Sequence, residues 1–157
     1  MSNILVTYFS AEGTTKLVAE RLAAGIGADL FEIKPVQPYT KSDLNWTNPL
    51  ARCNREKVGK KDVPVEGKIE NFDSYDIIFV GFPIWYYGPP NVIATFAKDY
   101  DFTGKKVALF ATSGGSPIGK SEERFLPYMN GKGILLGAKL FAPDATEAEL
   151  RRWAEEL

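Results

Sequence analysis

The sequence predicts an α/β fold, a doubly wound five-stranded parallel sheet in the order 2-1-3-4-5 with helices on both faces. Three observations predict it. Apolar runs alternate with segments of helical period along the chain. The runs are unbroken, the pattern of strands covered on both faces, and not the apolar–polar alternation of half-exposed ones. The first run passes directly into a hydroxyl- and glycine-rich turn that opens a helix, the connection at which such sheets hold anionic ligands.

The elements follow in order. Ile4 to Phe9 is the first strand, Leu30 to Val36 the second, Asp76 to Phe82 the third, Lys106 to Thr112 the fourth and Ile134 to Phe141 the fifth, uninterrupted over its eight residues. Helices fit between them at Thr14 to Gly25, Asn91 to Lys98, Ser121 to Met129 and Thr146 to Glu156. Gly25 and Gly27 stop the first helix. Pro127 kinks or shortens the third. Thr146 and Glu149 form a capping box for the last, with Asp144 adding negative charge near its positive end. The chain of 157 residues is one domain, 1–157, without repeats.

In this topology the ligand crevice lies outside the carboxyl ends of strands one and three. The loops after strands one, three and four therefore carry the candidate chemistry. The first reads Ser10-Ala11-Glu12-Gly13-Thr14-Thr15-Lys16. Gly13 lets the backbone approach, Ser10, Thr14 and Thr15 offer hydroxyls, and the free amides of the new helix point at an anion. The turn has neither the spacing of a triphosphate loop nor that of a dinucleotide fingerprint, so it suggests a mononucleotide monophosphate. The loop after strand three reads Pro83-Ile84-Trp85-Tyr86-Tyr87-Gly88-Pro89-Pro90, with three consecutive aromatics between stiffening prolines. That is a platform for a planar ring, or else part of the core. The loop after strand four, Thr112-Ser113-Gly114-Gly115-Ser116-Pro117-Ile118-Gly119, lets backbone groups approach the polar edge of a heterocycle, or is a plain flexible connection.

Composition removes other classes of function. The chain has no histidine and one cysteine, Cys53, which excludes an internal disulfide, thiolate or imidazole metal clusters, and Ser–His or Cys–His nucleophile pairs. No metal site and no catalytic side chain are expected, and redox chemistry would have to come from a cofactor. A net charge of −1 gives no footprint for nucleic acid, and no segment resembles a membrane span or basic membrane-surface helix. With no leader pattern at its start, the chain is expected to be cytoplasmic. Between Pro35 and Lys68 seven basic residues face four acidic ones, a surplus that a solvated loop explains. Arg52 and Arg55 flank Cys53 closely enough to lower its pKa, although a lone loop cysteine is more often incidental.

With these residues in place the chain resembles the flavodoxin family nearly end to end. Within it the chain is similar to bacterial flavodoxin-like proteins whose third strand ends in Gly-x-Pro-Ile-Trp, here Gly81-Phe82-Pro83-Ile84-Trp85. The uninterrupted fifth strand resembles the short-chain type. The resemblance implies a flavodoxin-like fold and flavin mononucleotide (FMN) as cofactor. It implies phosphate held by Ser10, Gly13, Thr14 and Thr15 with the amides of Ala11 and Glu12. It further implies the flavin ring lined on one side by Pro83, Ile84, Trp85 and Tyr86 and on the other by Ser113, Gly114, Gly115 and Ser116. The implied function is low-potential electron transfer between redox partner proteins by a monomer or weak dimer. The alternative is an FMN-dependent NAD(P)H oxidoreductase of the quinone, nitro or azo type on the same fold. A receiver domain is dismissed, because Phe82-Pro83 and Ser10-Ala11 stand where it needs acids.

Three departures from the family pattern stand out. Glu12 occupies the place of a third hydroxyl and must turn outward, since a carboxylate cannot donate to phosphate. The chain is nearly neutral where flavodoxins are markedly acidic, which weakens steering toward a basic partner. The segment from Pro35 to Ser74, with Tyr39, Trp46 and Arg52, is interrupted by Pro38, Pro49 and Pro64 where a second helix is expected. It is a flap near the flavin or a partner surface, or an edge excursion. An aromatic slot with no nearby cation disfavours the added charge of a fully reduced flavin. Gly88 or a neighbour is the candidate peptide to turn its carbonyl toward flavin N5 after one-electron reduction.

Overall fold

A computed structural model describes residues 3–37, 40, 44, 47, 51–52, 63–85, 88–113 and 118–157. In chain order the strands are β1 (Ile4–Tyr8), β2 (Asp29–Glu32), β3 (Lys34–Pro35), β4 (Val65–Glu66), β5 (Ile77–Pro83), β6 (Lys106–Thr112) and β7 (Ile134–Leu140). The helices are α1 (Thr14–Ile26), α2 (Asn91–Lys98), α3 (Ser121–Phe125) and α4 (Glu147–Glu155), with 3-10 turns at Phe72–Ser74 and Leu126–Met129. Five strands form a parallel sheet in the order β2-β1-β5-β6-β7, while β3 and β4 pair antiparallel in a small sheet of their own. Counting only the strands of the main sheet, its order is the expected 2-1-3-4-5.

Each central strand sends alternate side chains to opposite faces, because the side-chain period of a strand is two. From β5, Ile78, Val80 and Phe82 join one core with Leu5, Val107, Leu109 and Ala111, covered by Val92, Ile93 and Phe96 of α2 and Phe125 of α3. Phe79 joins the other core with Val6, Tyr8, Ala108 and Phe110, covered by Val18, Ala19 and Leu22 of α1 and Leu150 and Trp153 of α4. The inner strands β1, β5 and β6 are thus buried on both faces, which is why their sequences read as unbroken apolar runs. The edges are less covered: Asp29 and Leu30 of β2 and Ile134 of β7 are exposed.

Three expectations change in detail and a fourth, the shortening at Pro127, holds. The second strand does not run from Leu30 to Val36. It ends at Glu32, and after Ile33, whose amide donates to the Tyr8 carbonyl at 2.6 Å, the chain leaves the sheet to pair Lys34 and Pro35 with Glu66 and Val65. A proline cannot donate within a central ladder, so Pro35 ends up on a short edge pair. Gly25 does not stop α1 but lies inside it. A Cβ there would sit 3.1 Å from Glu147 Cγ and from its carbonyl oxygen, so glycine allows α1 to close on the start of α4. Gly27 alone ends the helix, at φ 67° with its amide on the Ala23 carbonyl. The fifth strand has no inserted loop but carries a bulge: Val107 pairs with Leu135 and Ala108 with Gly137, leaving Leu136 as the extra residue. The third helix ends at Phe125 and tightens into the 3-10 turn that contains Pro127, as the missing amide and fixed φ of proline require.

Thr146 caps α4, its hydroxyl accepting from the Glu149 amide at 3.1 Å. The described ends of the segment from Pro35 to Ser74 pack on the α2 side. The Val63 amide donates to Thr95 Oγ1 and the Ile69 amide to the Tyr100 hydroxyl, both at 3.0 Å, and Val63 is fully buried. Arg52 Nη1 donates to the Gln37 carbonyl at 2.7 Å. Tyr39, Trp46, Cys53 and Arg55 lie outside the described residues.

Candidate functional site

Parallel pairing brings the carboxyl ends of β1, β5 and β6 to one edge of the sheet. The Phe9 amide donates to the Gly81 carbonyl at 2.9 Å, and the Ile84 amide to the Thr112 carbonyl at 2.9 Å, so the three loops leave from adjacent points. Where the three strands end, each carries one of the unusual loops.

The turn after β1 is shaped by Gly13. Its φ of 92° is left-handed, a conformation that an L side chain adopts only under strain. Its amide donates to Ser10 Oγ at 3.0 Å, closing the turn on itself, and its carbonyl accepts the first helical bond, from Leu17 at 3.2 Å. No side chain caps α1 and no acidic residue occupies its first turn, so the amides there keep their capacity for an anion. A Cβ on Gly13 would meet no described atom within 4 Å, so the turn has open space beside its Cα. Ser10, Ala11, Gly13 and Thr14 are half-buried and Glu12 is exposed, the setting in which its charge least opposes a bound anion. Thr15 is different: it is buried, and its hydroxyl lies 2.7 Å from Thr112 Oγ1. Its side chain thus ties α1 to the end of β6 while its backbone lies in the amide-rich first turn.

The loop after β5 folds back on itself. The Trp85 amide donates to the Gly88 carbonyl at 2.9 Å and the Gly88 amide to the Trp85 carbonyl at 3.2 Å. Pro83, Ile84 and Trp85 are half-buried. The Trp85 ring meets the buried Phe9 edge-on, centroids 5.7 Å apart and planes at 89°, which fixes the indole over the end of β1. Ser113, half-buried, begins the loop after β6. Tyr86, Gly114, Gly115 and Ser116 lie outside the described residues.

Two features were not legible as site features. Thr112 is the hydroxyl partner of Thr15, and nothing in sequence links positions so far apart. Arg124 of α3 lies against Gly88, so a cationic side chain stands beside the described end of the aromatic loop. Gly88 is also less free than its residue type suggests. Both its amide and its carbonyl are bonded to Trp85, and turning that carbonyl over would break a 2.9 Å bond.

Electrostatics adds one perturbed group near the end of β1. The Tyr8 hydroxyl is pushed up to about 12, first by burial and then by the charge of Glu32 and a hydrogen bond to it, with Glu20 adding to the effect. Among the described residues no cluster of three or more metal-ligating side chains exists, and no helix is long and apolar enough to cross a membrane.

The flavodoxin family model matches residues 3–157. The chain belongs to the flavodoxin family. Among curated flavodoxins, flavodoxin 1 of Escherichia coli is 33% identical over 78 residues, a match covering 44% of this chain and 44% of that protein. Flavodoxin 1 of Salmonella typhimurium matches over the same length at 33% identity. The match thus spans less than half the length of these curated flavodoxins. Solved structures match along the whole chain. A protein named as a flavoprotein from Bacteroides eggerthii is 40% identical with a TM-score of 0.91, covering 99% of this chain and 98% of its own. A flavoprotein from Lactobacillus acidophilus, solved in complex with FMN, is 25% identical with a TM-score of 0.75, covering 98% and 99%. The donor set of the flavodoxin turn described above fits a phosphate, and the half-buried indole at the neighbouring strand end fits a planar ring.

Proposed function

We propose that this flavodoxin binds FMN across the loops after β1, β5 and β6 and carries electrons between redox partner proteins. One observation carries the reading: an uncapped helix N-terminus behind the left-handed Gly13 lies beside a half-buried Trp85 at the adjacent strand end. In this reading Ser10, Gly13 and Thr14, with the amides of Ala11, Glu12 and Thr15, hold the phosphate. Pro83, Ile84, Trp85 and Tyr86 line one side of the ring, and Ser113, Gly114, Gly115 and Ser116 the other. When bound, the flavin supplies reversible one- and two-electron chemistry. The side chains are asked only to bind it, orient it and exclude water. Recognition of partners rests more on shape than on charge, since the net charge is −1.

The test is a visible absorption spectrum of the purified protein reconstituted with FMN, recorded through stepwise dithionite reduction and, separately, on addition of NADPH alone. A long-wavelength band that accumulates at the one-electron stage, with little response to NADPH, supports the carrier. Direct bleaching by NADPH would make the protein an NAD(P)H oxidoreductase instead. No uptake of FMN would overturn both.

A further inference from the structure

We propose that Arg124 is a positioning residue for the flavin pocket, its side chain laid along the bare Cα of Gly88 so that α3 holds the loop after β5 in shape. The inference rests on the FMN reading above. A Cβ on Gly88 would lie 2.7 Å from Arg124 Cδ, 3.0 Å from Nη1 and 3.5 Å from Nε, so the stem and the guanidinium both run across the glycine. Only a residue without a side chain leaves that track open. Gly88 and its neighbours Pro89 and Pro90 are buried although they belong to a loop, which shows that something covers them.

The place of this contact gives it a role. Gly88 exchanges two backbone bonds with Trp85, and Trp85 is fixed in turn against Phe9. Arg124 stands one turn into the helix that follows the loop after β6, its amide donating to the Lys120 carbonyl at 2.9 Å. One side chain therefore links the element behind one wall of the pocket to the loop that forms the other wall. An arginine stem packs along apolar surface and its planar guanidinium stacks flat on what it covers, which suits both to lie across a glycine. A loop held in its bound shape before the ligand arrives costs less to order on binding, so the clamp is read out as affinity.

FMN is titrated into the flavin-free protein by quenching of its fluorescence, for the wild type, Gly88→Ala, Arg124→Ala, Arg124→Met and the double variant Gly88→Ala/Arg124→Ala. Gly88→Ala pushes a flexible side chain aside and leaves the fold intact, which thermal unfolding of the flavin-free variants checks. Gly88→Ala and Arg124→Ala are each expected to weaken binding about tenfold. The double variant is expected within about twofold of Arg124→Ala, the non-additivity of residues in contact. Arg124→Met keeps the unbranched stem without the charge and is expected to restore binding to within about threefold of wild type. Additive losses, wild-type affinity in Arg124→Ala, or a Met variant as weak as Ala would each overturn the clamp. Should Gly88→Ala fail to fold, the contrast between Arg124→Ala and Arg124→Met still decides. A wild type that takes up no FMN would overturn the functional reading itself, an outcome seen in the first titration.

Discussion

The hydroxyls of Thr15 and Thr112 lie 2.7 Å apart, both nearly sealed from solvent, and join the first turn of α1 to the last residue of β6. Each is the polar partner of the other inside a packed interior. Thr112→Val therefore leaves a buried hydroxyl without its partner and is expected to destabilise the flavin-free protein by about 1–3 kcal/mol. The double variant Thr15→Val/Thr112→Val, which removes both groups, should be closer to wild type than either single variant. Urea unfolding of the four proteins measures this, and additive losses would show that the bond contributes nothing.

Gly81 and Phe110 are register partners on β5 and β6, and the Phe110 ring occupies the space of the Cβ that Gly81 lacks. Phe110 itself is fully buried. Gly81→Ala overpacks this contact and should cost about 1–3 kcal/mol or more, because close-packed interiors accept an extra carbon poorly. In a Phe110→Ala background, itself weakened by about 3–5 kcal/mol, the added methyl should cost much less. Equal losses in both backgrounds, measured by denaturant unfolding, would refute the steric account.

Gly13→Ala tests the turn after β1. Its left-handed φ costs an L residue about 1–2 kcal/mol, with no clash to add from the described residues, none of which lies within 4 Å of the new Cβ. On the FMN reading the methyl also enters the space of the phosphate. The variant should lose affinity for FMN by a larger factor than for riboflavin, which lacks the phosphate. Equal losses for both flavins in parallel titrations would place the phosphate elsewhere.

Tyr8 makes a prediction about pH. Its folded value of about 12 lies above the 10.0 of the free side chain, so the folded state keeps the phenolic proton more tightly than the unfolded chain. The stabilisation is fully present below pH 10 and is lost as pH rises toward 12, by roughly 2 kcal/mol for this group. Tyr8→Phe should flatten the fall in stability across that window, followed by urea unfolding at stepped pH. An unchanged slope would assign the alkaline transition to the other tyrosines whose values burial also raises, Tyr75, Tyr100 and Tyr128.

The sequence by itself determined the sheet, its order and which loops leave its carboxyl edge. Its apolar runs, its helix period and the Ser10 to Lys16 turn are local signals, and local physics converts them directly into strands, helices and a left-handed Gly13. The end of α4 was legible for the same reason, because Thr146 and Glu149 meet within one turn. Gly27 was read correctly as the end of α1, but the other glycines were read less well. Gly25, Gly81 and Gly88 look alike in a sequence, yet one lets α1 close on α4, one makes room for Phe110 and one is covered by Arg124.

Those roles belong to the tertiary structure, as do the departure of the chain at Ile33, the bulge at Leu136 and the pairing of Thr15 with Thr112. Each depends on which atoms of distant residues arrive at the same point. Periodicity fixes the face a side chain takes, but only the packed chain decides what that side chain meets there.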